Sequence, residues 1–253
     1  AAGLPGIFSY ISSRDTVRDV ASRLRSEFAH HIEEHVANFL SHPVSINKVN
    51  ALALSRGTVN IEQEELTRRF AQQIELFPQV SSIYFGNPQG GLANSGRDPA
   101  DDSRYVIVTD AFSAGTFRKL ALNASGEADR ELTAVSGFDA RTRPWYVQAV
   151  ASRGPVWSDI YILFTGQDMA LAASRPVYDS QGKLLGVVAV DVFLSHISNF
   201  LRKQRISRNG QAFIIERSGL LVAGSTRQPL FISGRDRTSH RRRLHGEESS
   251  DPD

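Results

Sequence analysis

The sequence predicts an α+β protein in which a long N-terminal helix precedes an antiparallel sheet. Apolar residues recur at helical spacing within the first 77 residues, and from residue 78 onward the apolar period changes to two. Turn sequences then separate one short β-rich run from the next. A doubly wound parallel sheet is excluded because that fold alternates strand and helix throughout.

The first predicted helix is long and amphipathic. Apolar side chains recur every three or four positions from Val17 to Leu40, and charged residues occupy the opposite face. Pro43 is predicted to end the helix, and a polar-interrupted segment at 47–55 follows it. The apolar stripe predicts that the helix packs on one side only, either against its own domain or against a second copy of the chain.

The remaining elements follow from the same two periods. A second helix is predicted at 62–77, a third from Pro144 to about Ser152, and a connecting helix at 194–205. The strands of the main sheet are predicted at 80–86, 91–95, 104–111, 116–123, 156–164, 168–178 and 183–193. A second hairpin is predicted from 211–217 and 220–225.

The C-terminal part of the sequence predicts a second, smaller lobe. Residues 226–253 are mostly polar and are too few to add the three or more strands that a stable sheet needs. We therefore expect the chain to be cut inside this lobe, with a reduced lobe as the alternative. The predicted organisation is a helical region at 1–77, a ligand-binding lobe at 78–193, and a linker helix with a partial lobe at 194–253. The arginine run at 241–243 is interpreted as solvated.

Composition excludes several classes of function. The 253 residues include no cysteine, which excludes disulfides and thiolate metal sites. A net charge of only +2 argues against a nucleic-acid partner. No Gly-rich phosphate loop supports a nucleotide enzyme, and no apolar run is long enough to span a bilayer. His31 and His35 have a spacing that suits a metal ion, but without an evident third ligand we interpret them as surface histidines. No cofactor and no metal site are expected.

The segment Phe-Asp-Ala-Arg-Thr-Arg-Pro-Trp-Tyr at 138–146 is the first candidate for a binding site. Pro144 suits the first turn of a helix, and a helix N-terminus attracts anions through its free N–H groups. Arg143 offers a fork for a carboxylate, and the Trp145 N–H is a further donor. The alternative is that Trp145 and Tyr146 belong to the core and that the arginines are solvated.

Asp191 is the second candidate. It ends a strongly apolar strand, where a buried carboxylate needs a cation or hydrogen-bond donors. Arg143 or a ligand ammonium would satisfy it. If Arg143 and Asp191 pair only with each other, the site is a structural salt bridge. Tyr146 and Tyr161 fit either a pocket or the core.

Four motifs, in this order and spacing, resemble the double Cache sensor domain. They lie at 138–146, 154–161 (Gly-Pro-Val-Trp-Ser-Asp-Ile-Tyr), 173–192 and 209–216 (Asn-Gly-Gln-Ala-Phe-Ile-Ile-Glu), and the resemblance covers about residues 14–225. It implies two PAS-like lobes on one long helix, outside the bacterial inner membrane, with tethering transmembrane helices outside this sequence. It also implies a homodimer through the N-terminal helix and a small-molecule ligand in the membrane-distal lobe.

The resemblance also implies the residues of the ligand pocket. Amino-acid-sensing members use a set of Tyr, Arg, Trp, Tyr and Asp, which is matched here by Arg143, Trp145, Tyr146 and Asp191, with Tyr161 at the place of another pocket tyrosine. Phe138 stands where amino-acid binders have a tyrosine, and the lost hydroxyl removes one hydrogen bond. An α-amino acid, another small carboxylate, an amine and a polar metabolite therefore all remain candidates.

The expected function is that of a periplasmic sensor that relays ligand binding to a cytoplasmic histidine kinase. The alternative outputs are a chemoreceptor signalling domain and a diguanylate cyclase. Two other classes are a structural dimerisation module without a ligand, and an enzyme that uses Asp191 with His196 or an N-terminal histidine. No nucleophile elbow or metal-ligand cluster in the sequence supports the enzyme.

Overall fold

A computed structural model describes residues 3–98, 100–164, 168–204, 210–232 and 242–246, with only the backbone described at 3–15, 232 and 242. Its helices are α1 (Gly3–Ser55), α2 (Gln63–Leu76), α3 (Pro144–Ser152) and α4 (Leu194–Lys203). Its strands are β1 (Ser82–Gly86), β2 (Leu92–Arg97), β3 (Arg104–Thr109), β4 (Gly115–Leu122), β5 (Ala128–Phe138), β6 (Val156–Trp157), β7 (Tyr161–Ile162), β8 (Met169–Tyr178), β9 (Leu184–Phe193), β10 (Phe213–Ile215), β11 (Leu221–Gly224), β12 (Phe231–Ile232) and β13 (Arg242–Arg243).

Nine strands form one antiparallel sheet in the order β5, β4, β3, β2, β1, β9, β8, β6, with β7 also pairing with β8. The first and last long strands meet at its centre, where Ser82 of β1 lies opposite Asp191 of β9. This pairing joins two strands that are more than a hundred residues apart in sequence. The α+β class predicted from the sequence is confirmed.

Helix α1 continues through Pro43 to Ser55, so the prediction that Pro43 ends it is wrong. A proline inside a helix removes one hydrogen bond and costs about 3 kcal/mol. The helix beyond it nevertheless buries Ile46, Ala51 and Leu54 in the main core. Burial of these apolar side chains offsets the local cost of the proline.

Successive side chains of the central strands point to opposite faces of the sheet. Ile83, Phe85, Val188 and Val190 pack against α1 and α2 in one dense cluster. The intervening positions, among them Ser82, Tyr84 and Asp191, face the other side, where α3 packs against β8. Helices α1 and α2 therefore cover the strands β1, β2, β3, β8 and β9 on one face, and the second face carries the candidate site.

Two parts of the main sheet differ from the prediction. β5 was not predicted because it is an exposed edge strand, in which polar side chains replace the apolar alternation. The single strand predicted at 156–164 is instead two short strands, β6 and β7, which pair with different parts of β8.

The C-terminal region contains the predicted hairpin, β10 and β11, and a further pair, β12 and β13. Arg243 is not solvated as predicted: it donates hydrogen bonds to Glu216 and to the Leu221 carbonyl at 2.8 and 2.9 Å. Arg241 lies outside the described residues, and the side chain of Arg242 is not described. The boundaries at 77 and 193 remain predictions. Within the described residues, no helix is both long and apolar enough to cross a bilayer.

Candidate ligand-binding site

A cavity of about 70 Å³ lies on the face of the sheet opposite α1 and α2. On the same measure a water molecule needs roughly 10–15 Å³, so the cavity admits a small molecule. Its polar lining residues are Ser82, Tyr84, Asn94, Tyr105, Lys119, Arg143, Tyr161 and Asp191, and its apolar walls include Leu92, Ile107, Phe117, Phe138, Trp145 and Phe164. Apolar walls with a few converging polar groups are typical of a small-ligand site.

Asp191 is a buried acidic residue of the cavity, with only 4% of its surface exposed. One carboxylate oxygen, Oδ1, accepts hydrogen bonds from the Tyr84 and Tyr161 hydroxyls at 2.7 Å each. The other oxygen, Oδ2, accepts from Ser82 Oγ at 3.2 Å. Strand pairing accounts for this cluster, because Ser82 lies directly opposite Asp191 and Tyr84 points to the same face two residues further along β1.

Burial raises the pKa of Asp191 to about 6, and the three hydroxyl donors and Arg143 counteract only part of that shift. Burial, followed by the negative charge of Asp191, also raises the pKa of Tyr84 and of Tyr161 well above the ordinary value. Both phenols therefore remain protonated donors at neutral pH. A nearby cation therefore stabilises the ionised form of the Asp191 carboxylate.

Arg143 is the residue that precedes α3. Pro144 follows it in the first turn of the helix, as predicted. The Nη2 atom of Arg143 donates to the Ile162 carbonyl at 3.2 Å, and its guanidinium lies 5.7 and 5.6 Å from the centres of the Tyr161 and Phe164 rings. No ion pair joins Arg143 to an acidic side chain in the described part of the chain. The alternative of a salt bridge between Arg143 and Asp191 therefore does not match the geometry.

The neighbouring Arg141 behaves differently, which explains why only one of the two arginines serves the cavity. Its guanidinium pairs with the Asp139 carboxylate, with an Nη2 to Oδ2 distance of 2.6 Å. Asp139 also accepts from the backbone N–H of Arg141 and thereby caps the short 3-10 turn before α3. Arg141 is thus part of a local structural pair at the surface.

Five of the six predicted site residues line the same cavity: Phe138, Arg143, Trp145, Tyr161 and Asp191. Tyr146 does not line it. Consecutive helical side chains point about 100° apart, so Tyr146 diverges from Trp145 and is buried with Ala149 on the inner side of α3. Its interpretation as a core aromatic fits the geometry better than a place in the pocket.

The sequence reasoning missed several polar residues of the cavity, namely Ser82, Tyr84, Asn94, Tyr105 and Lys119. The spacing of Ser82 and Tyr84 within a predicted strand placed them on one face. Their contact with Asp191 depends on the pairing of β1 with β9, which no local pattern reveals.

None of the histidines in the described part of the chain lines the cavity. His35 stacks on Phe200 with a ring-centre distance of 3.5 Å, and burial together with His31 lowers its pKa. His196 Nδ1 lies 3.2 Å from Ser81 Oγ. Across the described residues, no group of three His, Cys, Asp or Glu side chains is arranged to hold a metal ion.

Comparison with known proteins gives a family match and four curated relatives, each of which aligns with only part of this chain. Residues 12–248 match the family model described as the Cache domain. Adenylate cyclase 1 of Rhizobium meliloti (strain 1021) is 34% identical over 180 residues, which is 63% of this chain and 26% of that protein. The methyl-accepting chemotaxis protein McpC of Bacillus subtilis (strain 168) is 35% identical over 97 residues, 38% of this chain and 15% of that protein. The chain thus spans about a quarter or less of these relatives.

A solved structure shares the fold. The ligand-binding domain of the Pseudomonas fluorescens chemoreceptor CtaA, in complex with L-serine, superimposes with a TM-score of 0.54 and 19% identity over 81% of this chain and 72% of that one. At this identity the likeness establishes the fold alone, with its long N-terminal helix and antiparallel sheet.

Proposed function

Because the chain belongs to the Cache domain family, we propose that it is the extracytoplasmic ligand-binding domain of a transmembrane sensor for an amino acid. One observation carries the choice of ligand. A buried carboxylate, Asp191, and a guanidinium, Arg143, line one small cavity and form no salt bridge with each other. An α-amino acid carries the two complementary charges.

The ligand ammonium is expected at Asp191. The carboxylate already accepts three hydroxyl hydrogen bonds, but burial still disfavours its charge. An ammonium group adds the positive charge that the hydroxyls cannot supply, and the oxygens of Tyr84 and Tyr161 offer it further acceptors. The aromatic rings around it exclude water and so strengthen the pairing.

The ligand carboxylate is expected at Arg143. The guanidinium has one donor engaged with a backbone carbonyl, and its fork suits a carboxylate. Arg143 stands at the N-terminus of α3, whose dipole also favours an anion. The CtaA structure, in complex with L-serine, supports an amino acid as ligand for this fold.

Signal relay is proposed through α1. Asn47 of α1 donates to the Ala173 carbonyl of β8 at 2.6 Å, and Ala173 pairs with Val190, the neighbour of Asp191. A shift of β9 on ligand binding therefore reaches α1 through two hydrogen-bonded strands. The ligand shifts the receptor only to the extent that it binds one arrangement more tightly than the other.

A homodimer through α1 is part of the proposal. Val17, Val20 and Leu24 recur at helical spacing and expose 67%, 50% and 60% of their surface. A second copy of the same helix covers such a stripe by coiled-coil packing.

The proposed output is a chemoreceptor signalling region, with a nucleotide cyclase as the second candidate. The curated relatives are chemotaxis proteins and an adenylate cyclase, so they give no support to the histidine kinase expected from the sequence. In the full-length protein, chemotaxis toward the bound amino acid and cyclic nucleotide production distinguish the two outputs.

The ligand assignment is tested by thermal-shift screening with the proteinogenic amino acids, followed by calorimetry of those that raise Tm. We expect Arg143→Ala and Asp191→Asn to abolish the ligand-induced shift. Arg141→Ala is the matched control, because Arg141 lies two positions away and pairs with Asp139 outside the cavity. A shift that persists in both site variants rejects the assignment, and the absence of any shift in the wild-type protein supports the structural module instead.

A further inference from the structure

We infer that Asn94 reads the side chain of the ligand and selects an amino acid with an uncharged hydrogen-bonding side chain. The inference rests on the proposed amino-acid function and adds the class of amino acid. It requires that the ligand ammonium binds Asp191 and that the ligand carboxylate binds Arg143, so that the ligand side chain points along the sheet.

Asn94 is a buried polar residue in the cavity wall without a complete set of partners. Only 5% of its surface is exposed, and it lines the cavity. Its Oδ1 has no hydrogen-bond partner in the described part of the protein. Buried polar atoms of native proteins are nearly always satisfied, so an unsatisfied amide on a residue that lines a cavity points to a ligand group.

The register of the sheet places Asn94 beside the ammonium position. Asn94 of β2 lies directly opposite Tyr84 of β1, whose hydroxyl donates to Asp191. The two side chains are on the same face of neighbouring strands, about 5 Å apart at Cβ. A ligand held at Asp191 therefore directs its side chain over β2, toward Asn94.

Lys119 lies on the same face as Asn94, two strands further along the sheet, but it adds no net charge to the cavity. Ile107 lies opposite both Asn94 and Lys119 on its two neighbouring strands, so all three side chains share the cavity face. The Lys119 ammonium pairs with Asp98 at 2.9 Å and lies 4.1 Å from the centre of the Tyr105 ring. Because Asp98 neutralises Lys119, an acidic ligand side chain gains no unpaired cation here.

The rest of the side-chain region is lined by Ile107, Phe117 and the ring of Tyr105, and none of these side chains carries a charge. A charged ligand side chain would lose its hydration against these walls without an opposite charge. An aliphatic side chain would fit the walls but leave Asn94 unsatisfied. A neutral hydroxyl or carboxamide satisfies both conditions.

Isosteric ligand pairs test this selection by calorimetry. L-threonine and L-valine have nearly the same shape, as do L-asparagine and L-leucine, and only the first member of each pair hydrogen-bonds through its side chain. We expect the wild-type domain to bind the polar member about tenfold more tightly or better, since sites built to hydrogen-bond reject the apolar isostere.

Asn94→Leu keeps the shape of the residue and removes its polar atoms. We expect this variant to bind valine and leucine at least as tightly as the wild type does, and to lose the preference for threonine and asparagine. Asn60→Leu is the control, because Asn60 is exposed and bonds to Glu65 outside the cavity. Retained binding of the apolar ligands also shows that Asn94→Leu is folded.

The outcomes separate this inference from the function on which it rests. Equal affinities within each pair, or a preference that survives in Asn94→Leu, overturn the role of Asn94 and leave amino-acid binding intact. If none of the four amino acids binds and no other raises Tm, the proposed function is rejected and the selection by Asn94 with it.

Discussion

The two faces of the main sheet are built from alternating residues of the same strands, yet at the centre of the sheet one face, the filled face, packs against α1 and α2, whereas the other borders the cavity. Ile83 and Phe85 point into the core formed with α1 and α2 and expose none of their surface. Ser82 and Tyr84, their immediate neighbours, point into the cavity. A substitution at Ile83 or Phe85 is therefore expected to change stability, whereas one at the neighbouring Ser82 or Tyr84 is expected to change binding.

The cavity face contributes less to the stability of the fold than the filled face does. The filled face gains from apolar burial without an opposing charge. The cavity face buries Asp191 and leaves Asn94 Oδ1 without a partner in the described residues, two features that oppose folding until a ligand satisfies them. Substitutions on the two faces are expected to separate the two properties.

The largest expected effect is on the filled face. Phe70 of α2 exposes 1% of its surface in the core against this face, so Phe70→Ala is expected to lower the free energy of unfolding by about 3–5 kcal/mol. Urea denaturation measures the loss. Leu76→Ala on the same helix is the control, because Leu76 is 74% exposed and its loss is expected to change stability by less than about 0.5 kcal/mol.

On the cavity face the same kind of test is expected to give the opposite sign. Asp191 has a folded pKa of about 6, above its ordinary value of 3.8, so the fold disfavours the charge at neutral pH. That difference corresponds to at most about 3 kcal/mol. Asp191→Asn is therefore expected to raise the free energy of unfolding at pH 7.5 by up to that amount while ligand binding is lost. A destabilised variant at this pH contradicts the proposed strain.

The pH dependence sharpens this test. Between pH 3.8 and 6 the folded state binds more protons at Asp191 than the unfolded state, so stability falls as pH rises through this window and is level above it. The advantage of Asp191→Asn over the wild type is expected to shrink as pH is lowered from 7.5 to 4. Urea denaturation of both proteins at each pH cancels the titration of groups they share. A constant difference contradicts the raised pKa.

Ligand affinity is expected to follow the opposite trend. An ammonium group binds the ionised carboxylate, so affinity is expected to fall below pH 6, approaching tenfold per pH unit, and to be constant above it. The α-ammonium and α-carboxylate of the ligand do not titrate in this range. Calorimetry at pH 7.5, 6.5 and 5 measures the trend, and an affinity that does not change over this range argues against Asp191 as the ammonium site.

The two faces also differ in how well the sequence predicted them. The strand periods predicted the filled core, and Asp191 stood out as a carboxylate at the end of an apolar strand. The partners of Asp191 on β1 were missed because strand pairing across more than a hundred residues leaves no local pattern. The continuation of α1 through Pro43 was missed because tertiary packing overrode the helix-stop signal of the proline. Strand β5 was missed because an exposed edge strand lacks apolar alternation.

The smallest expected effect concerns Phe138, which lines the cavity and contacts the Phe117 and Phe164 rings at centre distances of 5.4 and 5.2 Å. Phe138→Tyr adds a hydroxyl to this wall. One further hydrogen bond to an amino-acid ligand contributes about 1 kcal/mol, so affinity is expected to rise about fivefold with little change in stability. Phe164→Tyr is the matched control for a hydroxyl added elsewhere in the aromatic wall. Weaker amino-acid binding in Phe138→Tyr alone would show that the apolar ring itself contacts the ligand, and that this cavity departs from the tyrosine-containing pocket that its sequence resembles.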